Sequence, residues 1–175
     1  MKKLTTIALV LMLVFTLAVS GAQADPEAMY GKTFPDFTVK TISGEDFTLS
    51  ESLKTHDLVV INFWATWCEP CCMEFPYLQE AWEKYADRVD VIAMSIERTD
   101  TERYLQNFAK KNGLTFSIGR DENKLLDKMH GDAIPTTLIV DRDGKVVSVE
   151  IGAKLSVEDF TEFFNSLLNE VPVEL

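Results

Sequence analysis

The chain has 175 residues, of which 46% are hydrophobic and 26% charged, and its formal net charge is −11. That length fits one domain with a small addition, and the apolar share is enough to build one core. The excess of acidic residues repels phosphate groups and anionic lipids, which argues against nucleic acids and membrane surfaces as binding partners. We interpret the charge mainly as a source of solubility.

The N-terminal residues form a segment of a different kind. Lys2 and Lys3 precede an almost wholly apolar run over residues 7–19, and Ala-Gln-Ala follows at positions 22–24. This layout is that of a secretory signal peptide with an A-x-A cleavage site, so we predict that residues 1–24 are removed on export. The run is shorter than the roughly 20 apolar residues of a membrane span, and an uncleaved N-terminal anchor is the alternative. We therefore expect a periplasmic or otherwise extracytoplasmic protein.

Beyond this leader we expect a single domain over residues 25–175, in which strands and helices alternate. The predicted strands span residues 37–40, 47–49, 58–65, 89–96, 114–118, 136–140 and 145–151. The predicted helices are a short turn capped by Ser50, a helix from the cysteines to about residue 85 with Pro76 inside it, one capped by Asp100 that ends near residue 112, one over residues 123–129, and one capped by Ser156. This order predicts an α/β fold, a mixed sheet flanked by helices with an N-terminal β-hairpin extension.

All three cysteines, Cys68, Cys71 and Cys72, lie in one short stretch. Secreted domains that use disulfides as staples distribute their cysteines along the chain, so this cluster indicates reactive or metal-binding sulfur instead. A zinc site is disfavoured because it needs further Cys or His ligands, and His56 and His130 are the only histidines. We therefore expect no bound metal.

Cys68 and Cys71 form a C-x-x-C pair between a buried strand and the start of a helix. The free N–H groups and the dipole at a helix start favour an anion, so we expect the pKa of Cys68 to be depressed and its thiolate to be the nucleophile. Cys71 lies within one turn and can resolve a mixed disulfide. Pro70 fits the first helical turn, where no N–H is missed.

Several motifs together resemble a known family. The strand, W-C-x-x-C and helix unit, with the distant Ile134-Pro135-Thr136, resembles the thioredoxin superfamily. The fuller set resembles the ResA/TlpA-type extracytoplasmic thiol–disulfide oxidoreductases over essentially all of the mature chain; its members are Gly31, Pro35-Asp36-Phe37, the run from Asn62 to Cys71, Glu74-Phe75-Pro76 and Pro135-Thr136-Thr137. The resemblance implies a thioredoxin-like fold and a redox-active Cys68–Cys71 disulfide, with no other cofactor.

The same resemblance implies roles for residues around the cysteines. Pro135 would be cis and lie against the pair, and the Ile134 backbone would pair with an extended substrate segment. Trp67, Glu69 and Pro70 would complete the substrate-binding surface.

Glu74 is the acid that the resemblance makes most interesting. It follows Cys71 by three residues, so the two share a helix face. Thioredoxin has a buried Asp where this chain has Asn62, and the resemblance makes Glu74 the substitute that tunes the thiols and carries a proton. The alternative is a solvated helix glutamate.

Cys72 departs from the family pattern, in which this position is usually basic or polar. One interpretation is a small, partly buried residue without a redox role. The other is a third sulfur that competes with Cys71 for a disulfide with Cys68.

The leading functional hypothesis is an enzyme that exchanges disulfides with proteins outside the cytoplasm. The resemblance implies a reductant of protein disulfides, with apocytochrome c as the usual client and a membrane thiol–disulfide protein as the electron donor; we expect a monomer. One alternative is a copper-binding, Sco-like metallochaperone that uses Cys68, Cys72 and His130. A peroxiredoxin-like peroxidase is a third interpretation, ranked last because the Pro-Thr-Cys arrangement of such enzymes is not visible around Cys68.

Overall fold

The computed structural model describes residues 26–170, so the predicted signal peptide lies outside the described part of the chain. The strands are β1 (Thr38–Lys40), β2 (Asp46–Thr48), β3 (Leu58–Trp64), β4 (Val89–Ser95), β5 (Ser117–Arg120), β6 (Thr136–Asp141) and β7 (Val146–Ile151). The helices are α1 (Leu49–Ser52), α2 (Glu69–Glu83), α3 (Glu102–Asn112), α4 (Leu125–Lys128) and α5 (Val157–Glu170), and a short 3-10 turn spans Pro26–Met29. No helix among residues 26–170 is both long and apolar enough to span a membrane.

Five of the strands form one mixed sheet in the order β5-β4-β3-β6-β7. The β3–β4 and β4–β5 pairs are parallel, whereas β6 is antiparallel to both β3 and β7. Strands β1 and β2 form the separate antiparallel hairpin at the N-terminus. The mixed sheet, its flanking helices and the hairpin extension confirm the predicted fold class.

The sheet separates two apolar clusters, and β3 contributes to both because every residue in it is buried. Alternate side chains of a strand point to opposite faces. Val60 and Trp64 therefore pack on the side of α2, α3 and α5, while Ile61 and Phe63 pack toward the N-terminal hairpin and α4. Asn62 has the same parity as Trp64, so its amide faces the underside of α2, where the functional site lies.

Three local predictions are wrong, and in each case tertiary contacts decided the outcome. The short helix α1 has Thr48 at its N-cap, because the Ser50 hydroxyl instead donates to the carboxylate of Asp36 at 2.7 Å. Helix α3 is capped by Thr101 and not by Asp100, which is buried and accepts hydrogen bonds from elsewhere. The strand predicted over residues 114–118 pairs with β4 only from Ser117 to Arg120.

Other boundaries agree with the sequence prediction. Ser156 precedes α5, and its hydroxyl accepts the backbone N–H of Asp159 at 3.0 Å. Gly113 ends α3 with a φ of 66°, a left-handed conformation that favours glycine. Helix α2 contains Pro76 and ends at Glu83, close to the predicted end near residue 85.

Candidate active site

The two cysteines of the C-x-x-C motif are bonded at the start of α2. Cys68 is the N-cap residue, with an extended backbone (φ −80°, ψ 100°), and its Sγ accepts the backbone N–H of Cys71 at 3.3 Å. Cys68 and Cys71 form a disulfide with a Cα–Cα distance of 5.3 Å. Cys68 keeps only 4% of its surface and Cys71 none, so a reaction partner can reach the pair only from the Cys68 side.

The second wall of the site is the segment before β6. The Ile134–Pro135 peptide bond is cis, and the Ile134 carbonyl oxygen lies 3.8 Å from the Cys68 Sγ. Because β6 is antiparallel to β3, with Thr136 opposite Phe63, the residues before β6 are brought beside those that follow β3. Pro135 is buried and Ile134 half-buried. The structure thus brings Ile134 and Pro135 next to the disulfide, although some 65 residues separate them from it in sequence.

Glu74 lies one helical turn after Cys71 on α2 and is buried to 1% exposure, so it is not the solvated glutamate of the alternative interpretation. Its Oε1 accepts from the Asn62 Nδ2 at 2.8 Å, and its Oε2 accepts the Lys154 backbone N–H at 3.3 Å. Burial raises the pKa of Glu74 to about 7, against the lowering effect of these hydrogen bonds and of the Lys154 charge. The carboxyl group therefore changes its charge near neutral pH.

The Asn62 amide is held by hydrogen bonds to two side chains, those of Glu74 and Thr137. Its Nδ2 donates to Thr137 Oγ1 at 2.8 Å as well as to Glu74, and Thr137 stands directly opposite it in the β3–β6 pairing. Its Oδ1 is buried and has no hydrogen-bond partner among the described residues. A buried acceptor without a partner is costly.

The outer rim of the site is exposed. Trp67 keeps 64% of its surface, although its indole Nε1 donates to Glu97 Oε2 at 2.9 Å. Glu69 and Pro70 are exposed in the first turn of α2. These three predicted substrate-binding residues therefore lie around the entrance to Cys68, since all are within two residues of it in sequence.

The loop before Cys68 is held by the buried carboxylate of Asp100, a residue that the sequence predicted to be a helix cap. Asp100, at 2% exposure, accepts from the Thr66 hydroxyl at 2.6 Å, from the Thr66 backbone N–H at 3.2 Å and from the Ser95 hydroxyl at 2.6 Å. Both Asp100 and Glu97 follow β4, and β4 is the parallel neighbour of β3. The carboxyl ends of neighbouring parallel strands meet at one edge, and this rule is the sequence signal that could have identified them. No comparable signal marked Lys154.

The surroundings of Cys72 argue against a role for this residue in the disulfide. It is half-buried, and its Sγ lies 3.6 Å from the Thr66 carbonyl oxygen. Burial and, to a lesser extent, the Asp100 charge raise the pKa of the Cys72 thiol. Among residues 26–170 no three His, Cys, Asp or Glu side chains are arranged to hold a metal ion, so Cys68, Cys72 and His130 are not assembled into the copper site of the alternative hypothesis.

Comparisons with known proteins agree with this arrangement. The AhpC/TSA family profile matches residues 30–149. The thiol–disulfide oxidoreductase ResA of Bacillus anthracis is 38% identical over 141 residues, which make up 79% of each chain. The crystal structure of StoA from Bacillus subtilis superposes with a TM-score of 0.62 at 27% identity, covering 74% of this chain and 96% of StoA. A thiol:disulfide interchange protein of the thioredoxin family from Chlorobium tepidum TLS gives a TM-score of 0.69 at 26% identity, covering 79% of this chain and 97% of that one.

A mixed five-stranded sheet with a C-x-x-C disulfide at the start of its active-site helix defines a thioredoxin-fold thiol–disulfide oxidoreductase. With a family match over more than half its length and a relative 38% identical, the chain belongs to the AhpC/TSA family and, within it, to the ResA-type thiol–disulfide oxidoreductases.

Proposed function

We propose that this chain reduces disulfides of client proteins outside the cytoplasm, with apocytochrome c as the client class and a membrane thiol–disulfide protein as the electron donor. The observation that carries the proposal is the Cys68–Cys71 disulfide at a helix start, with the buried Glu74 carboxyl, of pKa about 7, one turn further along the same helix. The acidic composition would help the enzyme attract a basic client. We further propose a single domain over residues 25–175, released as a monomer after removal of residues 1–24.

Cys68 is the nucleophile in this proposal. In the reduced enzyme its sulfur becomes a thiolate, which the start of α2 stabilises through its free N–H groups. The thiolate attacks one sulfur of the client disulfide, a bond forms between Cys68 and that sulfur, and the other client sulfur leaves as a thiolate that takes up a proton. The position of Cys68 as the more accessible of the two cysteines supports this assignment.

Cys71 then resolves the mixed disulfide, with Glu74 as the proton acceptor. The ionised Glu74 carboxylate takes the Cys71 proton, and the Cys71 sulfur attacks the Cys68 sulfur. The bond between Cys68 and the client breaks, and the client sulfur leaves as a thiolate that takes up a proton, which completes the client dithiol. Two electrons have passed to the client, and the enzyme is left with its Cys68–Cys71 disulfide. The burial of both groups and their three-residue spacing on α2 support this pairing.

Client binding is proposed to involve the rim and the segment before β6. The Ile134 backbone would pair with an extended client segment, and the cis Pro135 would hold that segment against Cys68. The exposed Trp67, Glu69 and Pro70 would cover the other side. The 3.8 Å approach of the Ile134 carbonyl to the Cys68 sulfur supports this assignment.

The first experiment is the reduction potential of the protein lacking residues 1–24, measured in glutathione and in dithiothreitol redox buffers with the disulfide mapped by mass spectrometry. A Cys68–Cys71 potential near or below about −270 mV, the value of thioredoxin, supports a reductase. A potential near about −120 mV would instead identify a disulfide-forming catalyst. The client test uses a Cys71→Ser variant, which should trap a mixed disulfide with a C-x-x-C apocytochrome peptide through Cys68; a Cys68→Ser variant is the matched control.

The role of Glu74 is tested by the pH dependence of client release. The wild-type rate should rise with an apparent pKa near 7, because only the ionised carboxylate accepts the Cys71 proton. Glu74→Gln should lose that rise and be slower at pH 8 by about tenfold to a hundredfold. An unchanged profile in Glu74→Gln would remove Glu74 from the mechanism.

The same preparation tests the peroxidase interpretation, which the AhpC/TSA match makes worth measuring. Under our proposal, hydrogen peroxide consumption by reduced enzyme stays far slower than exchange with the peptide disulfide. Rapid consumption that persists in Cys71→Ser and is lost in Cys68→Ser would favour a peroxidase.

A further inference from the structure

Two carboxylates that follow β4 hold the two residues that precede Cys68. Asp100 accepts hydrogen bonds from both the backbone N–H and the hydroxyl of Thr66. Glu97 accepts the indole N–H of Trp67 at 2.9 Å. The two residues that lead into the catalytic cysteine are therefore held by different acids, Thr66 by Asp100 and Trp67 by Glu97.

The Glu97 carboxylate is itself held in place. Its Oε1 accepts both the backbone N–H and the hydroxyl of Thr99, each at 2.9 Å, while its own backbone N–H donates to the Ser95 hydroxyl at 3.2 Å. Hydrogen bonds from Thr99 and Trp67 keep the pKa of Glu97 below its ordinary value, so the group stays ionised at neutral pH. Its Oε2 is thus a fixed, charged acceptor aimed at the indole.

This contact explains how an indole can be exposed and still have one orientation. A tryptophan with 64% of its surface in water is normally free to change rotamer, and a client would lose affinity by immobilising it. The bond to Glu97 satisfies the polar edge and leaves the apolar face open. Tryptophan is enriched among the residues that contribute most to protein recognition, and a side chain that is ordered before binding costs less to immobilise.

We propose that Glu97 is a positioning residue for client binding, which holds the Trp67 indole beside Cys68 so that its face receives the client segment. This inference rests on the proposed reduction of protein disulfides, and it adds a residue outside the motifs that identify the family. Glu97 touches neither the sulfurs nor the client; it acts through Trp67.

The kinetic test compares reduction of a C-x-x-C peptide disulfide with reduction of glutathione disulfide, which has no extended segment on either side of its cysteines. Glu97→Ala should raise KM for the peptide by about threefold to tenfold, with kcat and the glutathione disulfide rate each falling by less than about twofold. Glu97→Gln should restore most of the peptide affinity, because its amide oxygen can still accept the indole N–H. Glu45→Ala, which removes an exposed glutamate in the turn between β1 and β2, is the matched control.

A double-mutant cycle assigns the effect to the contact. Trp67→Phe removes the indole N–H but keeps an aromatic face, so it should raise KM, and combining it with Glu97→Ala should add little. If the increases in peptide KM of the two single variants multiply in the double variant, the proposal is overturned. A peptide KM in Glu97→Ala within about twofold of wild type would overturn it as well. A change of more than about threefold in the redox equilibrium constant of the Cys68–Cys71 pair in Glu97→Ala, which is about 15 mV, would also overturn it, because the acid would then act on the disulfide.

A structural readout separates failure of this inference from failure of the proposed function. The Trp67 indole N–H signal in a 15N-labelled protein should move and exchange faster with water in Glu97→Ala, but not in Glu45→Ala. If wild type does not reduce the peptide and the indole signal still responds to Glu97→Ala, the proposed function is wrong and the contact is real. An indole signal insensitive to Glu97→Ala would overturn the inference whatever the enzyme reduces.

Discussion

The Asn62 amide donates a 2.8 Å hydrogen bond to the Glu74 carboxyl group across the interface between the central strand and the active-site helix. Both residues keep only 1% of their surface, so the bond lies in a medium where charge is expensive. The amide favours the ionised acid and burial favours the neutral one. Their balance places the pKa of Glu74 at about 7, where a small change in surroundings switches the charge.

Replacement of Glu74 by Gln should make the protein more stable at high pH and leave it almost unchanged at low pH. The folded-state pKa of about 7 lies above the ordinary 4.5, so the folded state binds the proton more tightly and loses stability as the pH rises between those values. At pH 8 the unfolding free energy of Glu74→Gln should therefore exceed that of wild type by about 3 kcal/mol. Urea unfolding of the oxidised wild type and variant between pH 4.5 and 8.5 measures it.

The control for this titration is Glu45→Gln, which removes one charge from an exposed position. Its stability curve should run parallel to that of wild type. If the Glu74→Gln curve did so as well, Glu74 would not be titrating in the folded protein over this range.

Loss of the Asn62 amide should move the Glu74 titration to higher pH. Asn62→Ala removes the side-chain hydrogen bond that opposes the effect of burial, so the pKa of Glu74 should rise further above its ordinary value. The unfolding free energy should also fall, by about 1 to 3 kcal/mol, because Thr137 and Glu74 lose a buried partner.

Carbon-13 NMR of glutamate-labelled protein follows the titration directly. Thr137→Val is the matched variant, since it removes the other partner of the same amide and leaves the contact with Glu74 in place. We expect a clearly smaller displacement of the Glu74 midpoint in Thr137→Val. Equal displacements would mean that packing around the amide, and not its bond to Glu74, sets the pKa.

The sequence predicted the features of this fold that depend on local patterns. The apolar run that became β3, the glycine that ends α3 and the C-x-x-C pair at a helix start each follow from residue type and spacing. The Glu74 spacing placed it on the same face as Cys71, but spacing could not show that the helix face is enclosed. That enclosure comes from Asn62 below it and from the Lys154 backbone, which is 80 residues away.

Two of the wrong predictions share one physical origin, and the third has another. Ser50 and Asp100 have the chemistry of helix caps, and both side chains form hydrogen bonds with distant residues instead, to Asp36 and from Thr66. Local cap rules count only neighbours in sequence, so a stronger distant partner is invisible to them. Leu114 and Phe116 are buried, but apolar character indicates burial and not pairing, which begins at Ser117.

We expect Cys72 to take no part in the redox cycle. Its thiol is kept protonated by burial and by the nearby Asp100, and it contacts the Thr66 carbonyl. Cys72→Ala should therefore form the same Cys68–Cys71 disulfide with a potential within about 10 mV of wild type. Cys72→Lys should give a potential less negative by about 10 to 20 mV, because a cation near the helix start stabilises the Cys68 thiolate.

Redox titration with mass-spectrometric mapping of the disulfide measures both Cys72 variants. A disulfide that includes Cys72 in the wild-type protein at any stage of the titration would show that the third sulfur does compete. Equal potentials in the alanine and lysine variants would show that the charge at this position does not reach the thiolate.

Loss of the Asp100 carboxylate should loosen the loop that carries Trp67 and Cys68. Asp100→Ala leaves two hydroxyls and one backbone N–H without their buried acceptor, so we expect the unfolding free energy to fall by about 2 to 4 kcal/mol. Asp100→Asn keeps one acceptor oxygen but turns an amide donor toward the remaining donors. We therefore expect Asp100→Asn to lose some unfolding free energy relative to wild type, but less than Asp100→Ala loses.

Urea unfolding at pH 7 and hydrogen exchange of the Thr66 amide together measure this effect. The amide should exchange much faster in Asp100→Ala, and Thr66→Val, which removes only the hydroxyl bond, should lose less stability than the alanine variant. A loss below about 1 kcal/mol in Asp100→Ala would mean that water replaces the carboxylate without cost. The loop before Cys68 would then owe its position to α2 and β3 alone.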